Sequence, residues 1–185
     1  MSKKLLAEWY PQDAIQIAWP HAGTDWQRLL PDIEAFYYEL VNTISHLQQL
    51  VIAADPRLDG ELIKAELARR GANLGNVRWF SVPTDNTWAR DHGPIAVGDE
   101  AGIELLDFEF NAWGDKYGSA LDNAINGEIA SQHGYQAPLR SIEFVLEGGS
   151  IETDGLGTLL STTTCLLNPN RNKGMDLTEV ENQLR

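Results

Sequence analysis

The sequence predicts a mixed α/β fold, and three observations carry that reading. Short apolar runs alternate with amphipathic helical stretches from one end of the chain to the other. Of the 185 residues, 43% are hydrophobic, enough for a real core, so residues 1–185 are expected to form a single domain. The order strand, helix, strand, then a hairpin, a helix and a further strand hints at a repeated unit.

The elements follow in chain order. Ala14 to Trp19 reads as a strand, and Ile33, Phe36, Tyr37, Leu40, Val41, Ile44 and Leu47 then recur at helical spacing on one face, with Pro31 tolerated near the helix start. Gln49 to Ala54 is a buried strand. Leu58 to Arg70 is a second helix, closed by Gly71 in the place of a left-handed cap. Val77 to Val82 is a third strand, running into Thr87–Pro94. Ile95 to Val97 and Ile103 to Phe110 pair as a hairpin around Gly98–Gly102. Ser119 caps a helix over Leu121 to Gln132, and Ser141 to Leu146 is a strand ending at Gly148-Gly149. Gly155-Leu156-Gly157 turns between two strands, the second running from Leu159 to Leu167. Thr178 and Glu181 fit a capping box for a last helix that stops at Arg185 after about two turns, which predicts a fold truncated at its C-terminus.

The formal net charge of −13 argues against nucleic acid and anionic membranes, which are bound through clustered Lys and Arg. An acidic field favours small cations instead. One cysteine, Cys165, excludes an intrachain disulfide framework and any multi-thiolate zinc site. Lys3 and Lys4 are followed by no apolar stretch of signal-peptide length, and no later run is long enough to span a membrane, so a soluble, cytoplasmic protein is expected.

Thr87-Trp88-Ala89-Arg90-Asp91-His92-Gly93-Pro94 is the densest chemistry in the chain. It lies on a loop leaving a strand, where a rigid scaffold commonly presents functional side chains. A planar guanidinium offers a fork of N–H donors, and an in-plane carboxylate such as Asp91 answers it with two charge-assisted bonds. Trp88 can offer its ring face to a cation, and Asp85 adds a nearby acid. Arg90 is expected to point away and pair with another acid, or to hold the far end of a ligand. The competing reading is structural: an Arg90–Asp91 ion pair, or Asp91 accepting backbone N–H groups within its own turn.

Glu147 precedes two glycines that let the backbone pass close to another element or a ligand. A carboxylate there can orient an imidazole or bind a cation. Equally, the glycines can be a plain bulge and Glu147 a solvated strand-end acid. Cys165 sits in an apolar, strand-like setting with no neighbouring base, which predicts a buried, inert thiol. His21, His46, His92 and His133 show no metal-ligand spacing, so no metal site is expected, and His46 is expected at the surface.

Four motifs in order carry a resemblance. Trp88–Pro94, Phe110-Asn111-Ala112-Trp113-Gly114-Asp115-Lys116-Tyr117, Leu146-Glu147-Gly148-Gly149-Ser150-Ile151 and Cys165-Leu166-Leu167-Asn168-Pro169-Asn170-Arg171-Asn172 resemble the agmatine deiminase and bacterial (Porphyromonas-type) peptidyl-arginine deiminase family. Glu8-Trp9 and Ala18-Trp19-Pro20-His21 fit it as well. The resemblance implies a guanidine-modifying enzyme of the pentein type, a five-bladed α/β propeller of which this chain is about the first half. It implies a cysteine thiolate that attacks the guanidinium carbon, loss of ammonia, and hydrolysis to a ureido product. It places Asp91 on the guanidinium nitrogens, Glu147 against the catalytic histidine and Trp88 in the substrate channel.

The departures are as informative. The family's nucleophilic cysteine and His-x-Asp motif fall in its C-terminal half, beyond Arg185, and Cys165 matches a position that is not the nucleophile. The family also sets its second acid beside the position of Thr87, where this chain has Asn86 preceded by Asp85. The leading expectation is therefore agmatine deimination to N-carbamoylputrescine, a step of putrescine biosynthesis, with this stretch inactive until the other half is supplied. Deimination of peptidyl-arginine is the alternative within that chemistry, and a non-catalytic guanidine-binding module the alternative outside it. The partners expected are a small cationic guanidino substrate and, for the full-length protein, further copies in a homo-oligomer.

Overall fold

The computed structural model describes residues 3–185. Nine strands run through them: β1 (Lys4–Leu5), β2 (Ala14–Ala18), β3 (Gln49–Ala54), β4 (Val77–Ser81), β5 (Ile95–Asp99), β6 (Gly102–Glu109), β7 (Leu139–Val145), β8 (Ile151–Thr153) and β9 (Leu159–Ser161). They belong to two compact units. One is made of Pro11–Ala89 with Glu128–Gly134, the other of Met1–Tyr10, Arg90–Gly127 and Tyr135–Arg185.

In the Pro11–Ala89 unit, β2, β3 and β4 form a parallel sheet in that order, joined by the helices Leu30–Ser45 and Gly60–Arg69. β3 lies in the middle, and Leu50 through Ala54 are all buried, which is why its sequence is a continuous apolar run rather than an alternating one. Trp19, Tyr37, Val41, Ile52, Ile63 and Leu67 complete the core. The Trp19 ring meets Tyr37 and Tyr38 edge-on at 5.7 and 5.3 Å. Asp59 opens the second helix by accepting the Leu62 N–H at 3.0 Å, and Gly71 ends it with φ +94°.

The first helix departs from expectation at two apolar positions. Tyr37, Val41 and Ser45 form the buried stripe at a spacing of four, and Phe36, about 100° round from it, is exposed. Leu47 lies past the helix end and is 80% exposed. All three strands of this sheet are followed closely by a proline, at Pro20, Pro56 and Pro83, which has no N–H to continue a ladder. The chain therefore leaves the carboxyl ends of the sheet as loops, and the last of these carries Asp85, Thr87 and Trp88.

In the Arg90–Gly127 and Tyr135–Arg185 unit the sheet order is β1-β5-β6-β7. β5 and β6 are the expected antiparallel hairpin, closed by Gly102 at φ +135°, and β7 joins β6 in parallel. β1, which the sequence did not announce, pairs antiparallel with β5. Phe144, Leu146, Ile151 and Val180 make the core.

Three expectations fail near the C-terminus, each for a local reason. The run Leu159 to Leu167 is a strand only through Ser161, because the Thr162 hydroxyl accepts the Cys165 N–H at 3.2 Å and starts a helical turn at Thr163–Leu166. Cys165 is consequently half-buried on that turn, not sealed in a strand. The capping box of the last helix is Asp176 and Glu179, not Thr178 and Glu181: Glu179 N–H donates to Asp176 Oδ1 at 3.0 Å and Asp176 N–H to Glu179 Oε2 at 2.8 Å. That phase sets the fully buried Val180 into the core. Among the described residues no helix is long and apolar enough to cross a membrane.

Candidate active site

Asp91 sits on the single helical turn Ala89–His92 and is half-buried. Arg90, its neighbour, turns away and pairs with Glu8 at 2.6 Å on the surface, so the adjacent Arg90–Asp91 pairing is not the one formed. Nor are the Asp91 partners local to its turn. Its carboxylate accepts the backbone N–H of Gly149 and a hydrogen bond from the Trp113 side chain, whose sole donor is the indole Nε1–H. Burial, followed by the like charge of Glu147, pushes the Asp91 carboxyl above the usual range, and these two donors only partly offset it.

The glycine pair explains this approach. A Cβ at Gly148 would overlap the Arg90 carbonyl oxygen, and one at Gly149 would overlap Asp91 Oδ1. The bare backbone of Gly148 lies against main chain and that of Gly149 against the Asp91 carboxylate, which decides the open choice in favour of close approach.

Glu147 is also not a solvated strand end, since it is only 1% exposed. Arg171 Nε donates to both of its carboxylate oxygens, at 2.8 and 3.1 Å, and the Arg171 side chain is 8% exposed. A carboxylate this deep needs such a partner. The side chain it meets is thus a guanidinium, and the histidine-orienting role is what the resemblance implies for it.

Arg171 belongs to a loop whose consecutive residues each hold a different part of this unit. Asn172 Oδ1 accepts the Val145 N–H and Asn172 Nδ2 donates to Val145 O, both at 2.9 Å, so its amide pairs with β7 as another strand would. Asn170 Nδ2 donates to Gly114 O at 3.2 Å, and Asn111 Nδ2 to Asn170 O at 2.7 Å. Gly114 lies in a left-handed turn: Ala112, Trp113, Gly114 and Asp115 have φ of +48°, +61°, +88° and +60°. Two side chains of the Ala120–Ser131 helix hold the backbone of the neighbouring motifs. Asn123 Oδ1 accepts the Phe110 N–H at 2.6 Å, and Asn126 Nδ2 donates to His92 O at 2.7 Å and to Asp107 Oδ1 at 2.8 Å.

His92 itself is 3% exposed, and among the described residues neither ring nitrogen has a hydrogen-bond partner. Burial drops its pKa to about 4, so at neutral pH it is an uncharged ring packed 6.0 Å from Phe110. Cys165 has its Sγ in a half-buried turn with Thr162 as the capping neighbour.

Trp88 and Asp85 lie in the Pro11–Ala89 unit. The Trp88 ring is exposed, its Nε1 donates to Asp25 Oδ2 at 3.3 Å, and it lies 6.4 Å from the Trp26 ring at 32°. Trp26 Nε1 in turn donates to Thr87 Oγ1 at 2.7 Å, pinning the loop that carries Trp88. Asp85 is half-buried on the same loop. His21 is buried beside it: Nδ1 accepts the Gly23 N–H at 3.0 Å, so Nε2 carries the proton and donates toward Thr84 O at 3.2 Å. His46 is exposed as expected and meets Gly71 O at 3.1 Å. Sequence reasoning named Asp91, Glu147, Trp88 and Asp85 but missed Trp113, Arg171, Asn126 and Trp26. Trp113 and Arg171 lie inside two of the motifs that carry the resemblance, and that placement is the signal that points to them.

Known proteins resemble the chain over nearly its whole length. The family model for Porphyromonas-type peptidyl-arginine deiminase matches residues 4–185. An agmatine deiminase of Pseudomonas aeruginosa is 32% identical over 98% of the chain and 49% of its own length, and one of Pseudomonas fluorescens is 33% identical over 95% and 47%. A substrate-bound cysteine-to-serine variant of the C. jejuni agmatine deiminase superposes with a TM-score of 0.85 at 34% identity, covering 99% of this chain and 52% of that one. The chain spans about half the length of the curated relatives it matches.

Proposed function

The chain belongs to the Porphyromonas-type peptidyl-arginine deiminase family, and on that premise we propose that it supplies the guanidinium-gripping half of an agmatine deiminase. The observation that carries this is the state of Asp91. Its carboxylate is half-buried, held by Gly149 N–H and the Trp113 indole, and crowded by the charge of Glu147. An acid held at raised free energy is relieved by a cation, and a planar guanidinium can meet its remaining lone pairs with two parallel N–H donors. The reaction is agmatine plus water to N-carbamoylputrescine plus ammonia. The family chemistry supplies a thiolate that adds to the guanidinium carbon, expels ammonia, and is released by water as the ureido product forms.

In this reading Asp91 holds the guanidinium nitrogens, and Glu147, braced by Arg171, faces the imidazole that moves protons. Trp88 lines the path of the alkyl chain, with Asp85 as a second acid on its loop. The whole protein is a cytoplasmic five-bladed propeller that uses no metal or organic cofactor, and this chain accounts for its first half. Agmatine is preferred to peptidyl-arginine because the similar curated proteins are agmatine deiminases.

Ammonia and ureido-product release from agmatine and from an arginine peptide, measured on the protein encoded by the complete reading frame, tests the assignment. Turnover of agmatine is expected. Turnover of the peptide alone would select the other deiminase, and binding of agmatine without turnover would make the chain a guanidine-binding module.

A further inference from the structure

A run of four residues with positive φ is expensive, because three of them, Ala112, Trp113 and Asp115, carry a Cβ that crowds the following carbonyl. Such a turn persists only where its surroundings over-determine it, and here they do. Asn111 Oδ1 accepts the Gly114 N–H at 3.0 Å and Asn111 O the Asp115 N–H at 2.7 Å, which closes the turn from its own start. Asn170 Nδ2 takes the Gly114 carbonyl at 3.2 Å. A Cβ at position 114 would press on Asn168 Oδ1 at 3.2 Å and Asn170 Cβ at 3.3 Å, and φ of +88° strains any L side chain there. Phe110 and Tyr117 pack edge-on against the Trp113 ring at 5.4 and 6.1 Å and fix its plane.

The single polar atom of the side chain so held, the indole Nε1, donates to Asp91. We infer that Trp113 is a positioning residue for the Asp91 carboxylate, and that the left-handed turn held by Asn111 and Asn170 exists to aim its indole N–H. A carboxylate has about four acceptor positions. With Gly149 and Trp113 each filling one from a different element, rotation of the carboxylate is arrested and the unfilled positions are presented to a forked cation in one orientation. The inference deepens the deiminase reading and rests on it for the identity of the ligand. The aiming of Asp91 stands apart from that identity.

The test uses the Trp113→Phe variant of the protein encoded by the complete reading frame, which keeps an aromatic ring against Phe110 and Tyr117 and removes the donor. The Asp91 carboxyl is followed by carbon NMR as pH is varied, and agmatine binding is followed by calorimetry across the same range. Losing one hydrogen bond to the ionised form should move the Asp91 titration upward by about one pH unit. The pH below which agmatine is released should rise with it. Gly114→Ala, which keeps the indole but strains the turn that aims it, should move the titration the same way by less. An Asp91 titration unchanged in Trp113→Phe overturns the proposal, whatever agmatine does. Failure of the unaltered protein, expressed from the complete reading frame, to bind agmatine at any pH sinks the deiminase reading instead, with the NMR shift still deciding the role of Trp113.

Discussion

Gly149 donates its backbone N–H to Asp91 at a separation where a side chain would occupy the place of the carboxylate oxygen. Gly148, one residue earlier, is pressed against a different kind of atom, the backbone carbonyl of Arg90. The distinction predicts different failures. Gly148→Ala must displace main chain and is expected to destabilise the protein by about 1–3 kcal/mol, as overpacked sites do. Gly149→Ala needs only the Asp91 side chain to rotate, so it should keep most of the stability and lose guanidinium binding. Urea unfolding and agmatine calorimetry on both variants separate the two, and equal losses of stability would contradict the contrast.

Asp91→Asn is expected to lower agmatine affinity by about a hundredfold or more, because the charge-assisted bonds vanish and an amide offers fewer acceptor positions. It is also expected to melt higher than the unaltered chain at pH 7. The sign follows from the raised carboxyl of Asp91. Between the ordinary aspartate value and the raised one the folded state holds the extra proton, so stability falls as pH rises through that window and stays lower above it. The amide escapes this penalty. Melting temperatures of the two proteins should converge as pH drops below the ordinary aspartate value, and a variant that melts lower at pH 7 would refute the account.

What the sequence discloses about this site follows how locally each residue's role is decided. Asp91 and Glu147 stand out because carboxylates beside turns and glycines are read within a few residues, and β3 and the Gly71 helix end are legible on the same local terms. Trp113 and Arg171 are decided by partners far along the chain, Asp91 and Glu147, and their motifs mark their neighbourhoods without saying which carboxylate each one serves. The capping box was misplaced by two residues for a related reason. Asp176 and Thr178 are both good caps, and the choice is made by the burial of Val180. Cys165 was set in a strand because Thr162 reads equally well as a β-former or a cap.

The Arg171–Glu147 pair predicts strong non-additivity. Arg171→Met leaves a carboxylate that is 1% exposed without its cation, and breaking a buried pair from one side costs about 3–5 kcal/mol. Adding Glu147→Gln removes the stranded charge and should restore much of the loss, since the remaining amide can find partners among neighbouring polar groups. Denaturant unfolding of the two single variants and the double variant reads this directly. If the two losses simply add, the carboxylate is not held by Arg171.

His92 predicts an acid sensitivity independent of ligand. Its folded pKa of about 4 lies below the ordinary 6.5, so as pH falls through that interval the unfolded chain takes up a proton that the folded one refuses. Stability fully present above pH 6.5 is therefore lost progressively down to about pH 4, by roughly 3 kcal/mol for a shift of this size. His92→Leu should unfold at the same or slightly higher urea concentration at pH 7, because both ring nitrogens lack partners and the apolar replacement leaves nothing unsatisfied. The variant should then lose less stability than the unaltered chain between pH 6.5 and 4. Comparing the two at each pH cancels the opposite-signed contribution of Asp91, and an unchanged difference across the interval would mean that His92 is protonated in the folded state after all.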